Sequence, residues 1–436
     1  MQIRIDFDKK IGNVKPFHAI NNAPLLGTDN KLFHYLSDAH VPYSRLHDTG
    51  GAYGGFRYVD IENIFRDFNA DESDPDSYDF AFTDWLLTEL VNAGSEPFFR
   101  LGATIENSQH IKAYHIYPPK DCLKWAKICE GIINHYNHGW ADGFNYNITY
   151  WEIWNEPDNM PKIEDNPMWK GTKEEYFRLY EVASNYLKQK FPYIRIGGYA
   201  SCGFYAVDKN FSKIANSSPR TEYFVDFFHE FLQYISSAEH KSPLDFFSWH
   251  SYADSKSNSF YCDYARSQLD KYGFTEAESI LNEWNPGIHR RGSEEDACYI
   301  LEMMLTLHKK KLDMLMYYDG QVHGSYQGLF DPLKLDIFPA YFAVHSFGEI
   351  FELGTEVFAD GDLPLIVARK DDTAKLLTVN INKTLNIEPI LSDEWSVVSY
   401  RILDGVNGLI STPFESRNSF VLPENKIVML EFKKEV

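Results

Sequence analysis

Eight short β-like runs alternate with helical segments over about 330 residues of the 436-residue chain, and this alternation limits the fold more than any other feature. Such alternation is typical of a closed barrel of parallel strands with helices outside it. A doubly wound sheet is the weaker alternative, because "AINNAPLLG" after the first run is no glycine-rich phosphate turn. The predicted strands are "FHAIN" (17–21), "VPYSRLH" (41–47), "EPFFRLG" (96–102), "ITYWEIWNE" (148–156), "YIRIGGYA" (193–200), "DFFSWHSY" (245–252), "SILNEWN" (279–285) and "LMYYDG" (315–320).

The pattern changes after about residue 352, where short alternating strands are joined by Gly, Asn and Asp turns without a helical period. This texture predicts an antiparallel β-sandwich, and the alternating "QIRIDF" near the N-terminus is expected to add a strand to it. No flexible linker separates the parts, so we expect them to pack rigidly. The predicted division is an N-terminal strand (1–14), a (β/α)8 barrel (15–350) and the sandwich (351–436).

Composition and the N-terminal sequence indicate which classes of partner the protein does not bind and in which cellular compartment it is expected. The 42 basic and 63 acidic residues give a formal charge of −21, which repels nucleic acids and anionic membranes. The N-terminus "MQIRIDFDKKIG" does not resemble a secretory signal, and no apolar run is long enough to cross a bilayer. The five scattered cysteines indicate reduced thiols. These features predict a cytoplasmic protein without nucleic-acid or membrane partners.

Two glutamates are the main candidates for chemistry. In a (β/α)8 barrel the active face lies where the βα loops leave the strands, so polar residues that close strands are the candidates. Glu156 and Glu283 end the fourth and seventh predicted strands, each preceded by Asn, and these strands lie across the barrel mouth from one another. Glycoside hydrolysis needs such a pair, with one carboxyl protonated for the leaving oxygen and the other ionised beside the anomeric carbon. For Glu156 alone, a helix-dipole role is an equal alternative.

The chain resembles glycoside hydrolase family 39, the β-xylosidase and α-L-iduronidase family within the clan A retaining glycosidases. The resemblance rests on collinear motifs that span most of the chain and are more specific than the Asn-Glu-Pro tripeptide alone. These motifs are "PPKDCLKWAKICEGIINHY", "YWEIWNEPD", "EEYFRLYEVASNYLK", "IRIGGYASCG", "DFFSWHSYA" and "ILNEWNPG".

The resemblance implies roles for individual residues. Glu156 matches the general acid/base and Glu283 the nucleophile, with Glu156 expected to be kept protonated by burial and by its negative neighbour. The other matched positions are expected to bind the sugar or orient the nucleophile, and they are His47, Asn155, His250, Tyr252 and Arg45. Apart from the resemblance, Trp284 and Tyr318 are expected to offer the sugar stacking faces, because they lie at the ends of the seventh and eighth strands. His250 as a core histidine, and Arg45 as a structural ion-pair residue, are the alternatives.

The sequence departs from the β-xylosidase pattern on the eighth strand, where Tyr318, Asp319 and Gln321 replace the usual aromatic run. The loop after the seventh strand carries Arg290 and Arg291, which either bind a uronate carboxylate or pair with nearby glutamates, the favoured interpretation. The glycine-rich stretch 50–60 is expected to cover the barrel mouth, with Tyr53, Phe56 or Arg57 shaping the pocket.

We predict no metal and no cofactor, because His110, His115, His289 and His323 lack a paired metal-ligand spacing. The predicted function is a retaining exo-glycosidase of the β-xylosidase type that acts on small oligosaccharides or glycosides. Arabinosides, galactosides and uronides are alternative substrates, and a non-catalytic carbohydrate-binding barrel is the alternative from another class. The sequence leaves endo action and the oligomeric state open, a homo-oligomer included.

Overall fold

The computed structural model describes most of the chain. The described residues are 1–24, 32–48, 59–105, 114–207, 217–322, 328–392, 394–414 and 419–435. Tyr53, Phe56, Arg57, His110 and His323 therefore lie outside the described residues. Within the described ranges, the strands are β1 (Gln2–Asn13), β2 (Ala19–Asn21), β3 (Tyr43–Leu46), β4 (Glu96–Leu101), β5 (Tyr150–Ile153), β6 (Arg195–Ser201), β7 (Phe246–His250), β8 (Glu278–Trp284), β9 (Met314–Tyr318), β10 (Phe330–Asp331), β11 (Asp336–Ile337), β12 (Thr355–Asp360), β13 (Leu365–Lys370), β14 (Thr373–Asn380), β15 (Leu385–Ile390), β16 (Trp395–Asp404), β17 (Gly408–Ser411), β18 (Phe420–Leu422) and β19 (Lys426–Lys434).

Helices follow most of the barrel strands, and their ends carry recognisable caps. The Asp121 carboxylate accepts hydrogen bonds from two backbone N–H groups at the start of one helix. Thr172 and Glu175 form a capping box at the start of the next. The α-helices of the described residues are α1 (His34–Asp38), α2 (Ile61–Ile64), α3 (Ala81–Asn92), α4 (Cys122–His138), α5 (Lys173–Lys190), α6 (Pro219–Ser236), α7 (Ser255–Lys271), α8 (Glu294–His308) and α9 (Ala340–Phe351).

Strands β2 to β9 form a closed parallel barrel, in which each strand pairs with its neighbour and β9 returns to β2. These are the eight runs that the sequence predicts, so the barrel prediction is confirmed. The barrel strands are buried along nearly their whole length, which explains why they are apolar runs rather than alternating ones. All βα loops leave from the same end of the barrel and place their first residues around its mouth.

A second sheet lies beside the barrel, with the strand order β17-β16-β19-β14-β13-β12-β1-β15-β18. As predicted, the N-terminal strand joins it: β1 pairs with β12 on one side and β15 on the other. One feature differs from the predicted antiparallel arrangement: the β1–β15 pair is parallel, whereas the other pairs of this sheet are antiparallel. This sheet has its own core, which includes Phe7 stacked on Trp395 with ring centroids 4.2 Å apart.

Ion pairs join the barrel helices to the second sheet. The Glu349 carboxylate of α9 binds Arg401 Nη2 at 2.6 Å and Lys375 Nζ at 2.5 Å, and Glu294 of α8 pairs with Lys426. The predicted boundary at residue 350 falls in the last turn of α9. All five cysteines are free, as their spacing predicts. In the part of the chain that the structure describes, no helix has both the length and the apolar character to span a membrane.

Gly197→Ala tests the packing between β6 and β7. A Cβ at Gly197 would lie 2.0 Å from the backbone oxygen of Phe246, which cannot move without disturbing the barrel. We expect a loss of roughly 1–3 kcal/mol in the free energy of unfolding, measured by thermal unfolding followed by circular dichroism. Gly12→Ala in β1 is the control, because its nearest atom is 3.9 Å away. Equal effects of the two substitutions would contradict this account.

Candidate active site

Glu156 and Glu283 meet at the mouth of the barrel and are bridged by His250. The Nδ1 atom of His250 lies 2.7 Å from Glu156 Oε1 and 3.5 Å from Glu283 Oε2. One oxygen of each carboxylate and one imidazole nitrogen all lie within 4.8 Å of one another. The side chains of Glu156 and Glu283 keep 15% and 11% of their surface exposed, so a substrate can reach both carboxylates.

The local backbone explains how these residues come together. A bulge between Trp249 and His250 shifts the β7–β8 register so that His250 pairs with Glu283. Glu156 follows β5 with a φ of 47°, a conformation that ordinary residues rarely adopt. Its backbone N–H donates to the carbonyl oxygens of Tyr199 and Ala200, both at 3.1 Å. These bonds hold the Glu156 backbone in a fixed position beside β6.

Glu283 has one further hydrogen-bond donor and one cation beside it. The Tyr252 hydroxyl donates to Glu283 Oε1 at 2.5 Å, and Arg45 Nη1 lies 3.5 Å from Glu283 Oε2. The sequence predicts both residues near this carboxylate, and the structure places them there.

A buried polar network lies beneath the carboxylate pair. Arg45 forms an ion pair with Glu152 through Nη2 at 2.7 Å and donates to Asn155 Oδ1 at 2.5 Å. The other oxygen of Glu152 accepts from Asn282 Nδ2 at 2.7 Å. Glu152 was not predicted as a site residue, because it lies inside β5 and the predicted candidates were residues at strand ends. The available signal was a carboxylate in the middle of the apolar run "YWEIW".

The outer side of Glu156 carries contacts that the sequence did not suggest. Glu156 Oε2 accepts a hydrogen bond of 2.6 Å from Asn159 Nδ2. Arg220 in turn donates hydrogen bonds to the backbone oxygen and the Oδ1 atom of Asn159. Asp158 is fully buried and accepts from the hydroxyl of Ser201 and the backbone N–H of Cys202.

Asp48 links the predicted sugar-binding residues His47 and Tyr318. Asp48 Oδ1 lies 3.3 Å from His47 Nε2, and Asp48 Oδ2 accepts from the Tyr318 hydroxyl at 3.0 Å. Gln321 Nε2 donates to the Asp48 carbonyl oxygen at 2.7 Å. The departure from the β-xylosidase pattern on the last barrel strand is therefore coupled to the end of β3.

Trp284 does not fit its predicted role. Its ring is fully buried and meets Tyr317 edge-on, with centroids 5.6 Å apart. A fully buried ring offers no face to a sugar, so this position does not support the predicted stacking contact. Asp319 is likewise completely buried. Arg290 pairs with Glu295 at 2.9 Å, as the favoured interpretation of the loop expects, whereas Glu294 binds the second sheet instead.

The electrostatics of the pair differ from the sequence expectation. Burial raises the pKa of Glu156, but hydrogen bonds from His250, Asn159 and Cys202 outweigh it and leave the pKa below its ordinary value. Burial raises the pKa of Glu283, and although burial lowers the pKa of His250, the two carboxylates raise it overall. In the free protein the proton is therefore drawn to His250, whereas burial was expected to keep it on Glu156.

One further group of residues could offer ligands to a metal. Asp60, Glu62 and His115 are buried with ligand atoms within 4.8 Å of one another, a grouping that sequence spacing did not reveal. However, Arg100 forms an ion pair with Asp60 at 2.7 Å, and Thr104 also donates to this carboxylate. A fixed positive charge beside the grouping disfavours a cation. Glu156, His250 and Glu283 form the second such grouping among the described residues.

The fold and site define a (β/α)8-barrel protein with a facing pair of glutamates at the barrel mouth. The chain belongs to the family described as Glycosyl hydrolases family 39, whose model matches residues 1–283. It is 26% identical over 230 residues to a β-xylosidase from Geobacillus stearothermophilus, a match that covers 50% of this chain and 40% of the relative. A β-xylosidase from Caldicellulosiruptor saccharolyticus is 26% identical over 212 residues, which cover 46% of this chain and 40% of that relative. The matched part thus spans less than half the length of these relatives.

Solved structures show the same fold over the whole chain. A glucosidase from Croceicoccus marinus superposes with a TM-score of 0.79 at 19% identity and covers 100% of this chain and 99% of its own. A monomeric β-xylosidase from Caulobacter crescentus superposes with a TM-score of 0.69 at 17% identity and covers 100% of both chains.

Arg45→Leu tests the buried network. The substitution leaves Glu152 as a buried charge without its cation, and we expect it to reduce the free energy of unfolding by roughly 3–5 kcal/mol. The double variant Arg45→Leu/Glu152→Leu removes both charges and should recover part of this loss. Urea denaturation of the three proteins measures the difference. A double variant no more stable than Arg45→Leu would show that the ion pair is not the source of the effect.

Proposed function

We propose that this protein is a retaining glycoside hydrolase that works through a covalent glycosyl-enzyme. The supporting observation is the Glu156–His250–Glu283 cluster, in which oxygens of the two carboxylates lie within 4.8 Å of one another. Retaining enzymes hold their carboxyl groups about 5–5.5 Å apart, whereas inverting enzymes leave about 6.5–9.5 Å for a water molecule. The short separation therefore favours retention.

Glu283 acts as the nucleophile. Its carboxylate attacks the anomeric carbon and forms the glycosyl ester while the bond to the leaving oxygen breaks. Tyr252 and Arg45 stabilise the ionised form through a hydrogen bond and a positive charge. Burial raises the pKa of Glu283, which would weaken it as a nucleophile, and the charge of His250, followed by Arg45 and Tyr252, counteracts this effect.

Glu156 is the acid/base. His250 holds the proton before substrate binds and then passes it to Glu156. The 2.7 Å contact lets the proton pass from His250 Nδ1 to Glu156 Oε1 as substrate excludes water and as Glu283 loses its charge to the new bond. Glu156 then protonates the leaving oxygen. In the second step the ionised Glu156 removes a proton from water, which attacks the anomeric carbon and releases Glu283 with retained configuration.

Asn155 is suited to bind the sugar hydroxyl next to the anomeric carbon. Its Oδ1 accepts from Arg45, so its Nδ2 is left to donate on the other side. The relatives named β-xylosidases support a β-xyloside as the simplest substrate. Hydrolysis from the chain end is part of the same proposal. A uronide is disfavoured, because Arg290 is paired with Glu295 and Asp48 adds an acidic group beside His47. Arabinosides and galactosides remain alternative substrates.

Replacement of the two glutamates tests the proposed roles. Glu283→Ala removes the nucleophile, and we expect it to abolish hydrolysis of aryl glycosides. Glu156→Ala should retain the first step on an activated aryl glycoside. Azide should restore its turnover, because this anionic nucleophile needs no general base to displace Glu283 from the anomeric carbon and form a glycosyl azide. Both variants are compared with the unaltered protein on β-xyloside, α-arabinoside, β-galactoside, β-glucoside and uronide substrates.

Proton NMR of the first-formed product determines the stereochemistry. Retained configuration on one substrate supports the mechanism and identifies the sugar. Inverted product would overturn the double displacement. If the unaltered protein cleaves none of the substrates but all three proteins bind glycans equally, a carbohydrate-binding barrel replaces the proposal.

Tyr252→Phe tests how Glu283 is kept ionised. The lost hydroxyl favoured the carboxylate, so its removal raises the pKa of Glu283 and moves the acidic limb of the kcat/KM profile to higher pH. We expect a shift of about 1 pH unit, measured with one aryl glycoside across the pH range. Tyr205→Phe is the matched control, because the Tyr205 hydroxyl accepts from the Tyr252 backbone N–H rather than contacting Glu283. An acidic limb that moves equally in both variants would contradict the role of Tyr252.

A further inference from the structure

The contacts of Glu156 differ between its two oxygens. Oε1 faces His250 Nδ1 at 2.7 Å, and through the same nitrogen it faces Glu283. Oε2 instead accepts a hydrogen bond of 2.6 Å from Asn159 Nδ2. Asn159 is 6% exposed and is held by Arg220, which donates to its backbone oxygen at 2.8 Å and to its Oδ1 at 3.1 Å.

Arg220 determines which way the Asn159 amide faces. An amide side chain has an acceptor oxygen on one side and a donor NH2 on the other, and a guanidinium has donors only. Because Arg220 can bind only the oxygen, the NH2 group must face Glu156. An NH2 group cannot accept a proton, so Glu156 Oε2 must accept a hydrogen bond and cannot itself carry hydrogen toward Asn159.

We propose that Asn159 and Arg220 are positioning residues that confine the acid proton of Glu156 to Oε1, the oxygen that contacts His250 on the side of Glu283. This inference rests on the proposed glycosidase function. The carboxyl group could otherwise be protonated on the oxygen that points into the loop, from which it could not reach a leaving group. The same donor stabilises the ionised form that is needed when Glu156 acts as a base.

Other charged and titratable groups surround Glu156 and set the background for this effect. His250 and Glu283 approach from β7 and β8, and Asp158 lies two residues along the same loop. Cys202 after β6 also donates to Glu156. The hydrogen bond described at Oε2 comes from Asn159. Arg45 on β3 lowers the pKa of both His250 and Glu283, Arg220 acts on Cys202, and the charge of Glu156 in turn raises the pKa of Asp158, Cys202, Tyr205 and Tyr252.

Asn159→Ala should separate substrates by their leaving groups. We compare kcat/KM, which reports the first step, for two aryl glycosides of the same sugar, one with a dinitrophenyl and one with a phenyl leaving group. Only the phenyl glycoside needs the acid, so we expect a loss of roughly tenfold for phenyl and less than twofold for dinitrophenyl. The pKa of Glu156 rises without its donor, so the basic limb should move up by about 1 pH unit.

Asn166→Ala is the matched control in the same loop. Asn166 donates to the Pro157 carbonyl oxygen and accepts from the backbone N–H groups of Met168 and Trp169, but it does not contact Glu156. A purely structural effect would lower kcat/KM for both substrates alike and leave the basic limb in place. The same pattern in Asn159→Ala would overturn the proposal.

Arg220→Ala tests the coupling. Arg220 is exposed at the start of α6, so the variant is expected to fold even where Asn159→Ala does not. The basic limb should move in the same direction as in Asn159→Ala, and the double variant should move no further than Asn159→Ala alone. Arg220→Lys retains a donor and should restore much of the unaltered behaviour. Additive shifts in the double variant would show that Arg220 does not act through Asn159.

A measurement on the protein itself separates this inference from the proposed function. Carbon-13 NMR of the glutamate carboxyl groups, with Glu156→Gln to assign the signal, gives the pKa of Glu156 without turnover. A higher pKa in Asn159→Ala and Arg220→Ala supports the positioning role even if no glycoside is cleaved. An unchanged pKa overturns it even if the unaltered protein is an active glycosidase.

Discussion

The Arg45 guanidinium at the base of the barrel mouth is the charge on which the site depends. It contacts Glu152, Asn155 and Glu283, which come from β5, the loop after β5, and β8. A buried cation is unfavourable unless anions and acceptors surround it, and a buried glutamate has the converse requirement. Because the cation and the carboxylates each need the other, residues from β3, β5 and β8 meet at one point. Arg45 thereby fixes the position of Asn155, which is proposed to bind the sugar, relative to Glu283, the proposed nucleophile.

Glu156 and His250 share the proton that the proposed acid needs. A carboxyl group that must donate needs a high pKa, yet Glu156 receives three donors that lower its pKa. The imidazole of His250 resolves this conflict, because it lies between two carboxylates that raise its own pKa. The two sites then act as a coupled pair, whose titration belongs to the group and not to either residue. In the proposed mechanism, substrate binding would change this balance by removing water, and attack by Glu283 would change it further by consuming the charge of that residue.

Much of the fold could be predicted from the sequence, because each barrel strand is a short apolar run between helical segments. Helix α7 gives a weaker signal, since "SKSNSFYCDYARSQLDK" is polar over much of its length. The grouping of Glu156 and Glu283 followed from strand ends meeting at one face of a barrel. The contacts of Glu152 and Asn159 could not be predicted in this way. Glu152 pairs with Arg45, 107 positions away in the sequence, and Asn159 binds Arg220, 61 positions away. Such partners are brought together by side-chain direction and not by any local pattern.

The choice of sugar depends on how the pocket treats added negative charge. Burial, and then the charge of Glu283, raise the pKa of Asp48 to about 7, although Tyr318 and Arg100 act in the opposite direction. The environment of Asp48 therefore makes a carboxylate less stable than it is in water. This environment lies beside His47, which is expected to bind the sugar. A uronate carboxylate placed there would meet the same desolvation and the same repulsion from Glu283. Hydroxyl groups carry no such cost and can donate to Asp48, which is consistent with the neutral glycone of the proposed function.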